Sequence, residues 1–150
     1  MRAERRSPNL LLSVIVPAYN EAATVETALR RIRAVPLRLE IIVVNDASTD
    51  GTREILEQLS ELRLVDKVLH HEKNRGKGAA IRTGIAAATG EAVVVQDADL
   101  EYDPQDLPAL LLPIRSREAD AVYGSRFLGG PHRALYFWHY LGNQFLTLLS

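Results

Sequence analysis

Ala92–Gln105, AVVVQDADLEYDPQ, joins a short β-branched run, Val93–Val95, to two carboxylates, Asp97 and Asp99. Residues i and i+2 of an extended chain point to the same side. A buried strand that ends in Asp-x-Asp therefore sets two acids side by side at its carboxyl end. That edge is where open α/β sheets bind ligands. Adjacent carboxylates repel, and a hard divalent cation, Mg²⁺ or Mn²⁺, relieves the repulsion while keeping positions open for substrate phosphates. Glu101, two residues on, is a candidate third oxygen ligand. The plainer reading is an acidic turn with solvated side chains, and so short a pattern does not decide between them.

Working outward, the same alternation of buried strand and amphipathic helix recurs. Leu11–Val16 reads as a first strand closed by Pro17. Asn20 then reads as the N-cap of a helix carrying Val25, Leu29 and Ile32, with Pro36 ending it. Leu39–Val44 is a second strand, and its unbroken Ile/Val run suits a sheet covered on both faces. The turn Asn45–Gly51 leads to a helix with Ile55, Leu59 and Leu62 on one face. Val68 and Leu69 mark a weaker strand. Asn74–Gly78, NRGKG, opens a helix with Ile81, Ile85 and Ala88 on one face and Gly90 as its stop. Beyond the opening stretch, Asp103-Pro104 reads as N-cap and first helical residue, with Pro108 and Pro113 kinking or shortening that helix. Ala121–Tyr123 is a short strand. Leu135–Ser150 reads as an aromatic-rich helix that stops inside the element. Strands alternating with helices imply one α/β domain over residues 1–150, with a mostly parallel sheet flanked by helices in three α/β/α layers. Residues 1–9 read as a loose tail.

Bulk properties exclude more than they assert. A net charge of −1 gives no electrostatic case for nucleic acid. The absence of cysteine removes disulfide and thiolate chemistry. No apolar run approaches the ~20 residues of a membrane span. Arg2, Arg5 and Arg6 before Leu10–Val16 mimic a signal peptide, but the apolar run reads as well as a buried strand. Self-association into a homo-oligomer stays open.

In a parallel sheet, Tyr19-Asn20-Glu21, Asn45-Asp46 and Asp97–Asp99 all fall on one edge and converge on one crevice. Each cluster has a plainer reading: Asn20 as a cap, Asp46 as an Asx-turn. Arg75–Gly78 offers two cations at a glycine-rich helix start, a phosphate cradle that is neither a P-loop nor a GxGxxG fingerprint. His70, His71, His132 and His139 lack the spacing of a helical metal pair and read as non-catalytic.

Five ordered motifs, VIVPAYNEA, EIIVVNDASTDGT, NRGKGAAIRTG, VVVQDADLEYDP and YGSRF, cover Leu11 to about Phe127. In these the chain resembles the family 2 glycosyltransferases of GT-A (Rossmann-like) fold, closest to the branch of dolichyl-phosphate mannose synthase and the polyprenyl-phosphate glycosyltransferases. The resemblance implies that Pro17, Tyr19 and Glu21 line a nucleotide pocket, Asp46 reads the base edge and Lys77 lies nearby. It implies that Asp97 and Asp99 hold Mg²⁺ or Mn²⁺ against the diphosphate of a nucleotide-sugar donor, with Glu101 where relatives often carry a Gln ligand. It also implies that Arg126 meets the acceptor phosphate. Family members continue past this chain's end, so a C-terminally truncated protein with an incomplete acceptor-side helix at 135–150 is expected.

No Asp or Glu follows Asp120. A sugar hydroxyl needs a base to become a nucleophile, whereas a phosphate monoester, with a second pKa of about 6, is already an anion at neutral pH. This favours a lipid-phosphate acceptor, the plainer alternative being a base in sequence absent here. Together with what the resemblance implies, the expectation is a metal-dependent, inverting transfer of a hexose from a GDP-mannose or UDP-glucose type donor to a polyprenyl or dolichyl phosphate. Arg126 and Arg133 would hold that acceptor through their bidentate forks. The expected place is cytoplasmic, peripheral at the inner face of a membrane. Two other readings stand beside this: a nucleotide-sugar-binding module without turnover, and a nucleotidyltransferase.

Overall fold

The computed structural model describes residues 9–123 and 136–139. Chain order runs β1 (Leu12–Ala18), α1 (Val25–Arg33), β2 (Leu39–Asn45), α2 (Thr52–Glu61), β3 (Lys67–His70), α3 (Lys77–Ala87), β4 (Ala92–Val95), α4 (Leu107–Arg115), β5 (Ala121–Tyr123) and β6 (Tyr136–His139). The sheet order is β3-β2-β1-β4-β6-β5. β1, β2, β3 and β4 are mutually parallel, and β6 runs antiparallel to both β4 and β5. The expected mostly parallel, helix-flanked sheet is what forms.

Alternation along the strands feeds two cores. Leu12, Val14, Val16, Ile41, Val43 and Val94 pack on one face with Val25, Leu29 and Ile32 of α1, Leu56 and Leu59 of α2, and Leu107, Leu111 and Ile114 of α4. Ile15, Ile42 and Val93 face the other way, against Ile85 and Ala87 of α3. Small residues set how closely α3 sits. Ala79, Ala80 and Gly84 are its buried positions, while Ile81 and Ile85 are only half-buried. A Cβ on Gly84 would collide with the Ile15 side chain. Of the face expected from Ile81, Ile85 and Ala88, Ile85 and Ala88 do pack on this core, while the buried positions are residues without bulk, as close approach requires. In α2 the buried face is likewise Thr52, Leu56 and Leu59, and Leu62 is exposed beyond the helix end.

Pro17 does not close β1, which continues to Ala18 in register with β2. Odd residues of β1 point their backbone groups toward β4, as Gln96 N donating to Ile15 O shows. The β1–β4 ladder ends at Ile15↔Val95. Proline's missing N–H therefore falls where no partner strand needs it. Asn20 is not a cap either. The helix starts four residues after the expected place, with Thr24 as N-cap. Asn20 takes a positive φ of 54° and lends its side chain elsewhere.

The remaining expectations divide. Asp103 caps as expected, accepting from Gln105 N at 3.0 Å ahead of a 3-10 turn, Pro104–Asp106. Pro108 sits in the first turn of α4, and the helix ends two residues after Pro113. Over Tyr136–His139 the helix expected for 135–150 is replaced by strand β6. Tyr-Phe-Trp is a run of strong strand formers, and β4 offers it an open edge. The rest of that segment, and the tail 1–8, lie outside the described residues.

Candidate functional site

β1 is followed on one side by β2 and β3, and on the other by β4, so the strand order reverses at the β1/β4 boundary. Such a switch point leaves a crevice beyond the carboxyl ends of the strands. A cleft of about 430 Å³ lies there, lined by Pro17 at the end of β1 and Tyr19 and Glu21 beyond it, Asp46 after β2, Gly76 and Lys77 at the start of α3, and Asp97 and Asp99 after β4. Every residue expected to meet the nucleotide sugar is brought to this cleft, from four separate stretches of chain. Glu101 is exposed and does not join the lining. Arg126 and Arg133 lie outside the described residues.

The loops of β1 and β2 are laced together. Asn20 N donates to Ser48 Oγ at 3.0 Å, and Asn20 Oδ1 accepts from Thr49 N at 2.8 Å. Glu21 N donates to Thr52 Oγ1 at 2.9 Å and Ala22 N to Asp50 Oδ2 at 3.0 Å. Asp50 in turn accepts from the amide of Thr52, the first residue of α2, at 3.1 Å. Hydrogen bonds from the Thr52 side chain, before all else, hold the Asp50 carboxyl below its ordinary pKa. The Glu21 carboxylate accepts from Thr24 Oγ1 at 2.7 Å, which fixes it at the foot of α1. These contacts preset the wall of the cleft without using its open face.

Asp46 is 3% exposed and works as an anchor. Its Oδ1 takes Arg75 N at 2.9 Å and lies 2.6 Å from His71 Nδ1; its Oδ2 takes Gly76 N at 2.8 Å. Burial pushes its pKa up, but the bonds from His71, Arg75 and Gly76 outweigh burial and hold the group ionised. Asp46 thereby fastens the NRGKG loop, with φ +87° at Gly76, and so places Lys77. Lys77 Nζ reaches Asp97 Oδ2 at 2.6 Å. The Lys77 side chain is 60% exposed, so this pair adds little to stability and is free to rearrange.

Asp99 is exposed, and its Oδ1 accepts from Glu101 N at 3.1 Å. Among the described residues no group of three His, Cys, Asp or Glu side chains gathers to hold a metal. The donor set is instead two carboxylates on an open cleft wall. That fits a hard cation whose other positions go to phosphate oxygens and water. It does not fit an all-protein cage.

Residues 13–149 match Glycosyl transferase family 2. The chain belongs to this family. Among family relatives, a dolichol-phosphate mannosyltransferase of Pyrococcus furiosus is 38% identical over 79% of this chain and 34% of its own length. A dodecaprenyl-phosphate galacturonate synthase of Rhizobium johnstonii is 33% identical over 79% of this chain and 36% of its own. The chain thus spans about a third of the length of these relatives. Among solved structures, a mannosyltransferase of Pyrobaculum calidifontis, in complex with GDP-Man and Mn²⁺, superposes with a TM-score of 0.59 at 37% identity, over 65% of this chain and 30% of that one. S. aureus TarS 1–349 with UDP-GlcNAc gives 0.65 at 27% identity, over 75% and 33%. The sheet and its helices are therefore of the GT-A type.

His71 and Thr83 were not legible as site residues. His71 follows β3 directly and so lies on the same sheet edge as Asp46, the one signal that could have marked it.

Proposed function

We propose that this domain binds a nucleoside diphosphate sugar in the β1/β4 cleft and serves transfer of its hexose, with inversion, to a polyprenyl or dolichyl phosphate. The observation that carries the reading is the convergence of Asp46, Lys77, Asp97 and Asp99 on one cleft at the switch point. The named acceptor classes of two relatives, and the GDP-Man and Mn²⁺ of a structural neighbour, support it.

Breaking the sugar–phosphate bond leaves negative charge on the departing diphosphate. A bound Mg²⁺ or Mn²⁺ would stabilise that charge, held by Asp97 and Asp99. Lys77, already beside Asp97, is placed to turn toward the same phosphates. Attack on the anomeric carbon from the side opposite the leaving group inverts that centre. Asp46 and the Pro17–Glu21 loop hold the nucleoside end, so the reacting bond is fixed from both sides. The acceptor phosphate is itself the nucleophile and needs no protein base. Its binding falls to Arg126 and Arg133, and its lipid places the reaction at a membrane surface. Among the described residues no helix is long and apolar enough to cross a membrane.

An acceptor panel tests this. Transfer to polyprenyl phosphate is expected, and transfer to a neutral sugar hydroxyl is not. Arg126→Ala is expected to lower kcat/KM on the order of 10- to 100-fold, the usual worth of a charged hydrogen bond. Robust transfer to a neutral sugar, or full activity without Arg126, contradicts the reading. Because the chain spans about a third of its relatives, a second reading is a donor-binding module without turnover. Nucleotide binding with no product from any acceptor identifies that case.

A further inference from the structure

His71 stands between two elements of the cleft and touches both. Its side chain is 6% exposed, against 4% for that of Asp46. Nδ1 lies 2.6 Å from Asp46 Oδ1, and Nε2 lies 2.9 Å from Thr83 Oγ1 of α3. The carboxylate can only accept, so Nδ1 carries the proton, and in the neutral ring Nε2 accepts from the Thr83 hydroxyl. The backbone supports the placement, since His71 N donates to Asn45 O at 2.9 Å, one residue before Asp46.

An ionised carboxylate offers about four lone-pair sites. Three hydrogen bonds, from His71, Arg75 N and Gly76 N, occupy three of them on Asp46. The free position is on Oδ2, and Asp46 lines the cleft. The imidazole thus settles which lone pair is left for a ligand N–H or O–H. Its second nitrogen pins that arrangement to the body of α3. Without the ring, Asp46 Oδ1 keeps only Arg75 N, the carboxylate can rotate, and the loop that carries Lys77 loses its fixed post.

We infer that His71 is a positioning residue for donor binding: by bridging Asp46 and Thr83 it presents Asp46 to the nucleotide and holds the Asn74–Lys77 loop closed on the cleft. The inference rests on the nucleotide-sugar reading of the cleft. It adds a residue that touches no ligand and that the motif reading set aside.

Three variants separate positioning from bulk stability. His71→Ala removes both contacts. His71→Asn puts an amide N–H near the place of Nδ1 and keeps the bond to Asp46. Thr83→Val removes only the second contact. The first readout, which needs no ligand, is hydrogen exchange at the Arg75 and Gly76 amides, with strand amides of β1 and β2 as the internal control. The second is calorimetric titration with UDP and GDP in Mn²⁺. In His71→Ala, exchange at Arg75 and Gly76 is expected to speed up at least tenfold while the strand amides hold, and the nucleotide Kd is expected to rise roughly tenfold. His71→Asn is expected to restore most of both, and Thr83→Val to fall between. Unchanged exchange at the two amides, or unchanged Kd in His71→Ala, overturns the inference while leaving the cleft reading standing. Loss of protection throughout β1 and β2 together with no rescue by Asn also overturns it, since the ring would then be a fold residue. Failure of the wild type to bind either nucleotide overturns the cleft reading and the inference with it.

Discussion

Asp99→Ala is expected to abolish the Mn²⁺ enhancement of nucleoside diphosphate binding and to lower glycosyl transfer about 100-fold or more. Loss of outer partners of a metal ligand already costs roughly 10- to 100-fold, and loss of a direct ligand exceeds that. Asp99 is the sharper of the two aspartates to change. Asp97 also pairs with Lys77, so its removal would leave a lysine without its counter-ion. Asp99 gives up only the bond it accepts from Glu101 N. The site has few protein ligands to spare, because no cluster of three acidic or imidazole side chains forms among the described residues. Titration of UDP and GDP into wild type and variant, each with and without Mn²⁺, reads the effect. Equal enhancement in both proteins contradicts the assignment.

Glu40→Gln is expected to destabilise the fold by roughly 3 kcal/mol at pH 7, most of it lost in acid. Glu40 lies at the opposite, amino-terminal end of the strands and is 7% exposed. It accepts from Ser13 Oγ at 2.5 Å, Lys67 Nζ at 2.8 Å, Thr89 N at 2.8 Å and Thr89 Oγ1 at 2.8 Å. Burial raises its pKa, but the bonds led by Lys67 and Ser13 outweigh it and bring the carboxyl from its ordinary 4.5 down to about 2. A folded-state pKa below the unfolded one means stability that is fully present above pH 4.5 and is lost as pH falls toward 2. Urea unfolding checks the sign. The gap between wild type and variant should narrow by about 2 kcal/mol between pH 7 and pH 3. A gap that is constant across that window contradicts the account. Nucleotide binding by the folded variant should be unaffected, since the cluster and the cleft lie at opposite ends of β1 and β2.

The sheet edge was readable because it depends on local pattern. A β-branched run followed by polar residues marks a strand end, and parallel strands put their ends together. Pro17, Tyr19, Glu21, Asp46, Lys77, Asp97 and Asp99 all reached the cleft on that logic and on the family resemblance. What sequence pattern does not carry is the identity of distant partners. Asp46 meets its donors 25 to 30 residues away, and Glu40 is matched by Thr89 at a separation of 49. Nothing in the spacing of His71 or Glu40 shows those pairings. Pro17 was misread as a stop because proline's cost in a strand depends on which neighbour its nitrogen faces. On α3 the pattern found Ile85 and Ala88 but not the buried Ala80 and Gly84, because apolar periodicity weighs bulk while the packing distance to Ile15 favours the small residues. The β6 error has a similar origin: a spacing that suits a helix also suits an aromatic strand when β4 has a free edge.

The central claim is that Asp97 and Asp99 hold a divalent cation against a diphosphate at the β1/β4 switch point. A crystal of the chain with Mn²⁺ and a nucleoside diphosphate, measured at the manganese absorption edge, tests it most directly. The account predicts one anomalous peak within coordination distance, about 2.0–2.6 Å for hard cations and oxygen, of a carboxylate oxygen of Asp97 or Asp99 and of the diphosphate. Nucleotide bound in the cleft with no manganese beside either aspartate, or manganese held at another place on the chain, would contradict it.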